Sequence, residues 1–218
     1  MAVPLKIDFV SDVVCPWCVI GLRGLEIALE EVGDLVAADI AFHPFELNPD
    51  MPPEGENTAE HIARKYGANP EQSARNRDAL RERATAVGFT MNRGGDGRIY
   101  NSFDAHRLLH WAGLEGRQAA LKHALFTAYF TDGRNIADHD VLVAAAEAAG
   151  LDAEAARGVL TRGDYAEDVR GEERTWRQEG ITAVPTIVIN DRYVISGGHE
   201  PAAFERALRS IASDLAPA

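Results

Sequence analysis

The chain has 218 residues, 46% of them apolar and 26% charged, enough to bury a sizeable core in one domain or in one domain carrying an insertion. A net charge of −12 argues against a nucleic-acid partner, because binding a phosphate backbone needs a basic footprint. No apolar run approaches the roughly 20 residues that span a bilayer, and the start, Met1-Ala2-Val3-Pro4-Leu5-Lys6-Ile7-Asp8, lacks the basic and apolar regions of a secretory signal, so a cytoplasmic chain without a membrane partner is expected.

The first apolar run, Leu5-Lys6-Ile7-Asp8-Phe9-Val10, reads as a strand, and Val19 to Leu29 reads as a helix. Between them stands Cys15-Pro16-Trp17-Cys18, which contains the only two cysteines of the chain. In a reducing compartment such a pair points to catalysis or metal binding before a structural bridge. At a strand-to-helix junction it is the sign of a thiol–disulfide redox site. A cysteine at a helix N-terminus lies near unpaired backbone N–H groups and the positive end of the helix dipole, and both favour the attacking thiolate. Cys15 is therefore expected to be the nucleophile, more exposed and more acidic than Cys18, the resolving thiol one turn further on. Pro16 suits the first helical position, and Trp17 is expected to cover part of the site. A zinc site would need ligands from elsewhere, since no second Cys-x-x-Cys exists.

Ala37 to Phe45 supplies a second strand with Ile40, Phe42 and Pro44 on one face, and the turn-rich segment Asn48 to Gly55 ends it. From 57 to 180 the pattern is helical. Helices are predicted over 59–66, with Thr58 as its N-cap, and over 70–87, 102–112, 116–130, 138–149 and 165–179. The run from Arg75 to Arg83 reads as a solvated helix face, and Gly94-Gly95-Asp96-Gly97 as a turn without the Lys-Ser/Thr of a phosphate loop. His106 and His110 share a helix face, but Arg107-Leu108-Leu109 between them lacks the glutamate of a zinc-protease helix, and no metal is expected. A partly buried His106 near the cleft is expected, with Asn101, Asp104 and Arg107 around it; His106 and Asn101 are candidate substrate contacts. Strand pattern returns at Thr186 to Ile189 and Tyr193 to Ile195 around a polar turn, and Pro201 to Leu215 closes the chain as a helix. Val184-Pro185 precedes the third strand, where a cis bond would turn the Val184 backbone toward the thiols to pair with an extended substrate.

Cys15-Pro16-Trp17-Cys18, Ala183-Val184-Pro185-Thr186 and the long helical stretch between them resemble the DsbA-type oxidoreductases. Phe45-Glu46-Leu47-Asn48-Pro49, Asn101 to Arg107 and Gly180 to Thr186 are similar to the FrnE-like branch, over about residues 5 to 212. The resemblance implies an α/β, thioredoxin-like fold, with residues 1–56 and 181–218 as the thioredoxin-like domain and 57–180 as an all-helical insertion domain. It also implies a Cys15–Cys18 redox couple and a cis peptide before Pro185. The function expected is thiol–disulfide exchange through a mixed disulfide, with Cys15 and Cys18 catalytic and Pro16, Trp17, Val184, Pro185, His106 and Asn101 near the substrate. The expected partner is a disulfide or dithiol protein or a small thiol, with no cofactor beyond glutathione as a candidate co-substrate, and with the chain a monomer or homodimer. Two alternatives stay open at this point. One is a glutathione-dependent isomerase or transferase acting on a small aromatic or polyketide-like molecule, since relatives of that kind usually carry Ser at the Cys15 position. The other is a redox-sensing or chaperone-like binding protein.

Overall fold

The computed structural model describes residues 2–92 and 97–216, so most of the predicted Gly94–Gly97 turn lies outside the described residues. Strand β1 (Val3–Ser11) leads into α1 (Pro16–Glu31), and β2 (Val36–Pro44) returns parallel to β1. At the other end of the chain, β5 (Thr186–Ile189) and β6 (Tyr193–Ser196) form a hairpin before α9 (Pro201–Leu215). β5 runs antiparallel to β1, the sheet order is β2-β1-β5-β6, and the fold is the expected thioredoxin-like one. The central strand β1 has neighbours on both sides, so Ile7, Phe9 and Val10 are wholly buried. The hairpin turn uses Asn190 and Asp191, both at positive φ, with the Arg192 N–H donating to the Ile189 carbonyl. That is the primed geometry whose twist suits a short hairpin, reached here without glycine.

Between β2 and β5 come β3 (Glu56–Asn57), α2 (Thr58–Tyr66), α3 (Pro70–Ala86), β4 (Arg98–Ile99), α4 (Phe103–Leu114), α5 (Gln118–Phe126), α6 (His139–Ala148), α7 (Ala153–Arg162) and α8 (Ala166–Gln178). The predicted helix over 116–130 is α5 followed by five residues, Thr127–Thr131, in the wider π geometry. Helix α7 and the small β3–β4 pair were not anticipated. The α7 signals are present, because Asp152 caps the Ala155 N–H at 2.7 Å and Gly163 ends the helix at φ 76°. Its short apolar stripe of Ala156, Val159 and Leu160 is interrupted by Gly158, which hides the helical period.

The inserted helices join the sheet through specific polar contacts. The Gln118 side chain pairs with the exposed edge of β2, accepting from the Phe42 N–H and donating to the Phe42 carbonyl, both at 2.9 Å. Helix α8 packs beside β2 through a chain of ion pairs. His43 bridges Asp8 at 2.8 Å and Glu172 at 3.1 Å, and Glu172 reaches His110 at 2.9 Å. Burial opposes the charge on Glu172, but His43 and His110 outweigh it and hold its carboxyl below the usual range. Arg170 pairs with both Glu46 and Glu173 and stacks 3.9 Å from the Phe103 ring centroid. No helix among the described residues is long and apolar enough to cross a membrane.

Candidate active site

Cys15 is the N-cap of α1 and Pro16 opens the first turn, so the chain supplies a helix N-terminus at the thiol as its sequence implies. Both thiols are free, but neither is open to solvent: Cys15 is 4% exposed and Cys18 0%. The expected difference in exposure is thus in the right sense and small. The Cys15 Sγ donates to the Val184 carbonyl at 3.6 Å, and the Val184–Pro185 bond is cis. Three sequence-predicted residues therefore meet: Cys15, Val184 and Pro185. Cys18 lies one turn deeper. Burial pushes its thiol well above the ordinary range, and the hydrogen bond and charge of Cys15 add to the effect.

Trp17 is 38% exposed at the mouth of the site. Its backbone is held by a close approach that only glycine permits, because a Cβ on Gly198 would lie 2.6 Å from the Trp17 carbonyl oxygen. Gly21 is tightly but less strictly constrained, with Gly198 Cα and the Pro185 ring both 3.1 Å from where its Cβ would be. Pro185, α1 and the Gly197–Gly198 segment thus touch at one point. On the outer side, the Arg83 guanidinium of α3 lies 5.5 Å from the centroid of the Trp17 ring. Arg83 belongs to the run expected to be a solvated face, and it meets the site through Trp17.

Asp12 organises the floor. It is fully buried between β1 and α1, three residues before Cys15, and accepts from the Val14 N–H at 3.3 Å and the Leu47 N–H at 2.8 Å. His106 of α4 reaches it with Nε2 at 3.5 Å, a charge contact without hydrogen-bond alignment. Burial opposes ionisation of Asp12, but His106, the Leu47 N–H and the Ser102 hydroxyl outweigh it, and its carboxyl sits below the usual range. His106 is more deeply buried than expected, at 2% exposure, and its role is to tie the inserted helices to the loop that carries the thiols. Beside it, the fully buried Lys122 of α5 completes the floor. Asp12 and Lys122 are the site residues that sequence reasoning missed. An acidic residue ending an apolar strand three positions before a cysteine was a visible signal. Lys122 gave none, because a lysine beside Leu121 reads as the edge of a solvated face.

The other predicted residues serve the frame. Asn101 accepts from the Phe103 N–H at 2.9 Å and donates to the Pro49 carbonyl at 3.2 Å, bracing the start of α4 against the loop after β2. Arg107 is buried and donates to Asp104 and to the Val159 and Asp164 carbonyls, fixing the end of α7. His110 turns to Glu172 and His106 to Asp12, so the two histidines share a helix face without sharing a partner. Among the described residues, no group of three or more His, Cys, Asp or Glu side chains is placed to hold a metal ion.

The family model for a DSBA-like thioredoxin domain matches residues 6–209. The probable DsbA oxidoreductase SCO1869 from Streptomyces coelicolor is 34% identical, with a TM-score of 0.90 over 98% of this chain and 92% of that one. A 2-hydroxychromene-2-carboxylate isomerase superposes with a TM-score of 0.69 at 17% identity, covering 97% of this chain and 100% of the isomerase. The cytosolic disulfide reductase DsbM from Pseudomonas aeruginosa, in its structure with GSH, has a TM-score of 0.62 at 20% identity, covering 94% and 98% of the two chains. At those two identities the likeness is one of fold. The match to the family model over nearly the whole length, with the close relation to SCO1869, gives the assignment: this chain belongs to the DsbA-like thioredoxin-domain family.

Proposed function

We propose that the protein is a thiol–disulfide oxidoreductase in which Cys15 attacks and Cys18 resolves. The observation that carries this reading is the position of Cys15, which caps α1 while its sulfur rests against the Val184 carbonyl, with Cys18 directly behind it in the same helix. In the reductive direction the Cys15 thiolate attacks one sulfur of a substrate disulfide. A Cys15–substrate disulfide forms and the other substrate sulfur leaves as a thiolate. The Cys18 thiolate then attacks the Cys15 sulfur, the internal disulfide forms, and the second substrate thiolate leaves. A low-molecular-weight thiol such as glutathione restores the dithiol, and the reverse sequence oxidises a dithiol.

The Val184 backbone is the natural rail for an extended substrate segment. A groove of about 550 Å³ is lined by Ala183 and Thr186, on either side of Val184-Pro185 in the chain, together with Trp176, Ile181, Thr182 and Val194. DsbM is a cytosolic disulfide reductase solved with GSH, which makes glutathione a reasonable first probe and a reducing cytoplasm a reasonable setting. The test is to assay reduction of insulin and of glutathione disulfide by the wild type, Cys15→Ser and Cys18→Ser. Cys15→Ser is expected to lose turnover, and Cys18→Ser to accumulate a mixed disulfide detectable by mass spectrometry. Turnover that survives Cys15→Ser would sink the mechanism. Isomerase activity that survives Cys18→Ser would favour the glutathione-dependent alternative.

A further inference from the structure

Strand pairing decides which side chains share a face of the sheet. Thr186 stands opposite Ser196 and Val188 opposite Val194, so these four lie on one side of the β5–β6 hairpin. Ile187, Ile189, Tyr193 and Ile195 lie on the other side, against the main core. On the first side Val10, Phe45 and Ile181 make a small separate core, and Trp176, Val184 and Val188 pack against it. Helix α8 covers that side over β2, while the β6 end is left open, with Val194 63% exposed. An exposed valine beside a half-buried valine and a half-buried tryptophan is an apolar floor without a lid.

This floor belongs to the groove of about 550 Å³, whose head adjoins the cis-proline turn. Ala183 and Thr186 line it and flank Val184-Pro185, and the Val184 carbonyl accepts from the Cys15 Sγ at 3.6 Å. Its volume falls in the range of about 300–1,000 Å³ that encloses a ligand the size of a few residues. Its charge is one-sided. Among the described residues that line it, Glu179 and Asp191 are acidic and none is basic. Asp191 is shared with Lys6 at 2.9 Å, so Glu179 is the free carboxylate of the rim. Glu179 caps the C-terminus of α8, where the helix dipole adds negative potential. Arg177, the basic residue of that last turn, is turned away to the Glu46 carbonyl and the Phe45 ring.

We propose that this groove seats the polypeptide flanking the reacting cysteine of a protein substrate and selects segments that carry an apolar and a basic side chain, a deepening that rests on the thiol-exchange reading above. The segment pairs with the Val184 backbone while its sulfur meets Cys15, and the chain that continues past this point enters the groove. An apolar side chain covers Val188 and Val194, and a lysine or arginine meets Glu179 at the end of α8. Glutamate in the same place meets like charge and is disfavoured. In the first step the Cys15 thiolate attacks the segment's disulfide sulfur, and the other sulfur of that disulfide leaves as a thiolate with the electron pair. The groove thus holds the half of the substrate that stays bonded to Cys15.

Mixed disulfides of short peptides with thionitrobenzoate test this, because attack of Cys15 on the peptide sulfur releases the coloured thionitrobenzoate thiolate and leaves the peptide on the protein. Four peptides carry lysine, glutamate, leucine or serine at the third position on both sides of one cysteine. Second-order rates are read by stopped flow at an ionic strength of about 0.15 M, which screens the long-range field of the acidic chain beyond about 8 Å. In the wild type the lysine peptide should react at least about fivefold faster than the glutamate peptide. The leucine peptide should be about fivefold faster than the serine peptide. In Glu179→Lys the lysine-to-glutamate ratio should invert, and the fold is kept because a cation at a helix C-terminus is favourable. In Val194→Asp, at an exposed edge-strand position that accepts charge, the leucine-to-serine preference should disappear. Each comparison is a ratio within one protein, so a general change in thiol reactivity cancels. A wild type without these preferences overturns the proposal, and so do preferences that neither variant alters. A wild type that is dimeric, shows no preference and becomes monomeric in Val194→Asp gives the groove to a second copy of the chain and overturns it as well. A wild type that releases no thionitrobenzoate even from Ellman's reagent removes the thiol-exchange reading itself.

Discussion

The α8 interface and the floor beneath the thiols both bury charge, but on different terms. Along α8, Asp8, His43, Glu172 and His110 form an unbroken chain, and Arg170 serves Glu46 and Glu173 together. Beneath the thiols, Lys122 has no hydrogen-bond partner among the described residues and His106 meets Asp12 without alignment. Paired buried charges cost several kcal/mol of desolvation and recover it in mutual attraction, so they fix how two elements sit. An unpaired buried charge recovers nothing in the resting protein.

Four measurements would break or sharpen that contrast. The largest effect is expected at Asp12, where alanine would leave His106 and the Val14 and Leu47 N–H groups without their acceptor. A loss of about 3–5 kcal/mol is expected in urea unfolding, and a loss below about 1 kcal/mol would show that Asp12 is not the organising charge. Lys122→Met should act with the opposite sign. Its folded-state pKa, about 8, lies below the ordinary 10.5, so the unfolded chain binds more protons between those values. The wild type should therefore gain stability as pH rises from 8 to 10.5, by roughly 3 kcal/mol, with the full penalty present below pH 8. In Lys122→Met that slope should vanish and stability at pH 7 should rise.

Glu46 is the exception within the paired region. Burial and the neighbouring Glu173 charge raise its carboxyl to about 7, against the pull of Arg170. The folded state then holds a proton that the unfolded state has lost, so stability should fall as pH rises from 4.5 to 7. The drop should be about 2–3 kcal/mol, and chemical denaturation of Glu46→Gln over that range should give a flatter profile. The smallest effect is expected at Arg83, whose exposed contact with Trp17 contributes about 0.5–1 kcal/mol. Arg83→Ala should leave the melting temperature nearly unchanged and alter Trp17 fluorescence. Unaltered emission would mean that the contact does not shape the mouth of the site.

Much of the fold was legible because it rests on short-range signals. Apolar runs bounded by turns marked β1, β2, β5 and β6, and helical spacing between Pro and Gly breaks marked most helices. Helix α7 escaped because its stripe is narrow and broken by Gly158. At the site, Cys15 and Cys18 declared themselves by spacing, and Val184-Pro185 by its place before a strand. The roles of Asp12 and Gly198 were not legible in the same way, because each works through a partner far away in sequence. His106 stands 94 positions beyond Asp12, and a Cβ on Gly198 would meet Trp17. Asn101 and Arg107 carried the opposite lesson. Asn101 was a candidate substrate contact and Arg107 a residue around it, and in the structure Asn101 bonds the backbone while Arg107 bonds backbone carbonyls and the Asp104 side chain.

Gln118 has a consequence for the life of the protein in a crowded solution. An edge strand offers unpaired backbone groups to any other extended chain, and the usual outcome of an unguarded edge is aggregation. At Phe42 both groups are already taken by one amide side chain, which imitates a further strand for the length of a single residue. An incoming strand must first expel that amide from both bonds. One side chain on α5 therefore works as a doorstop, keeping the outer margin of β2 from recruiting its neighbours.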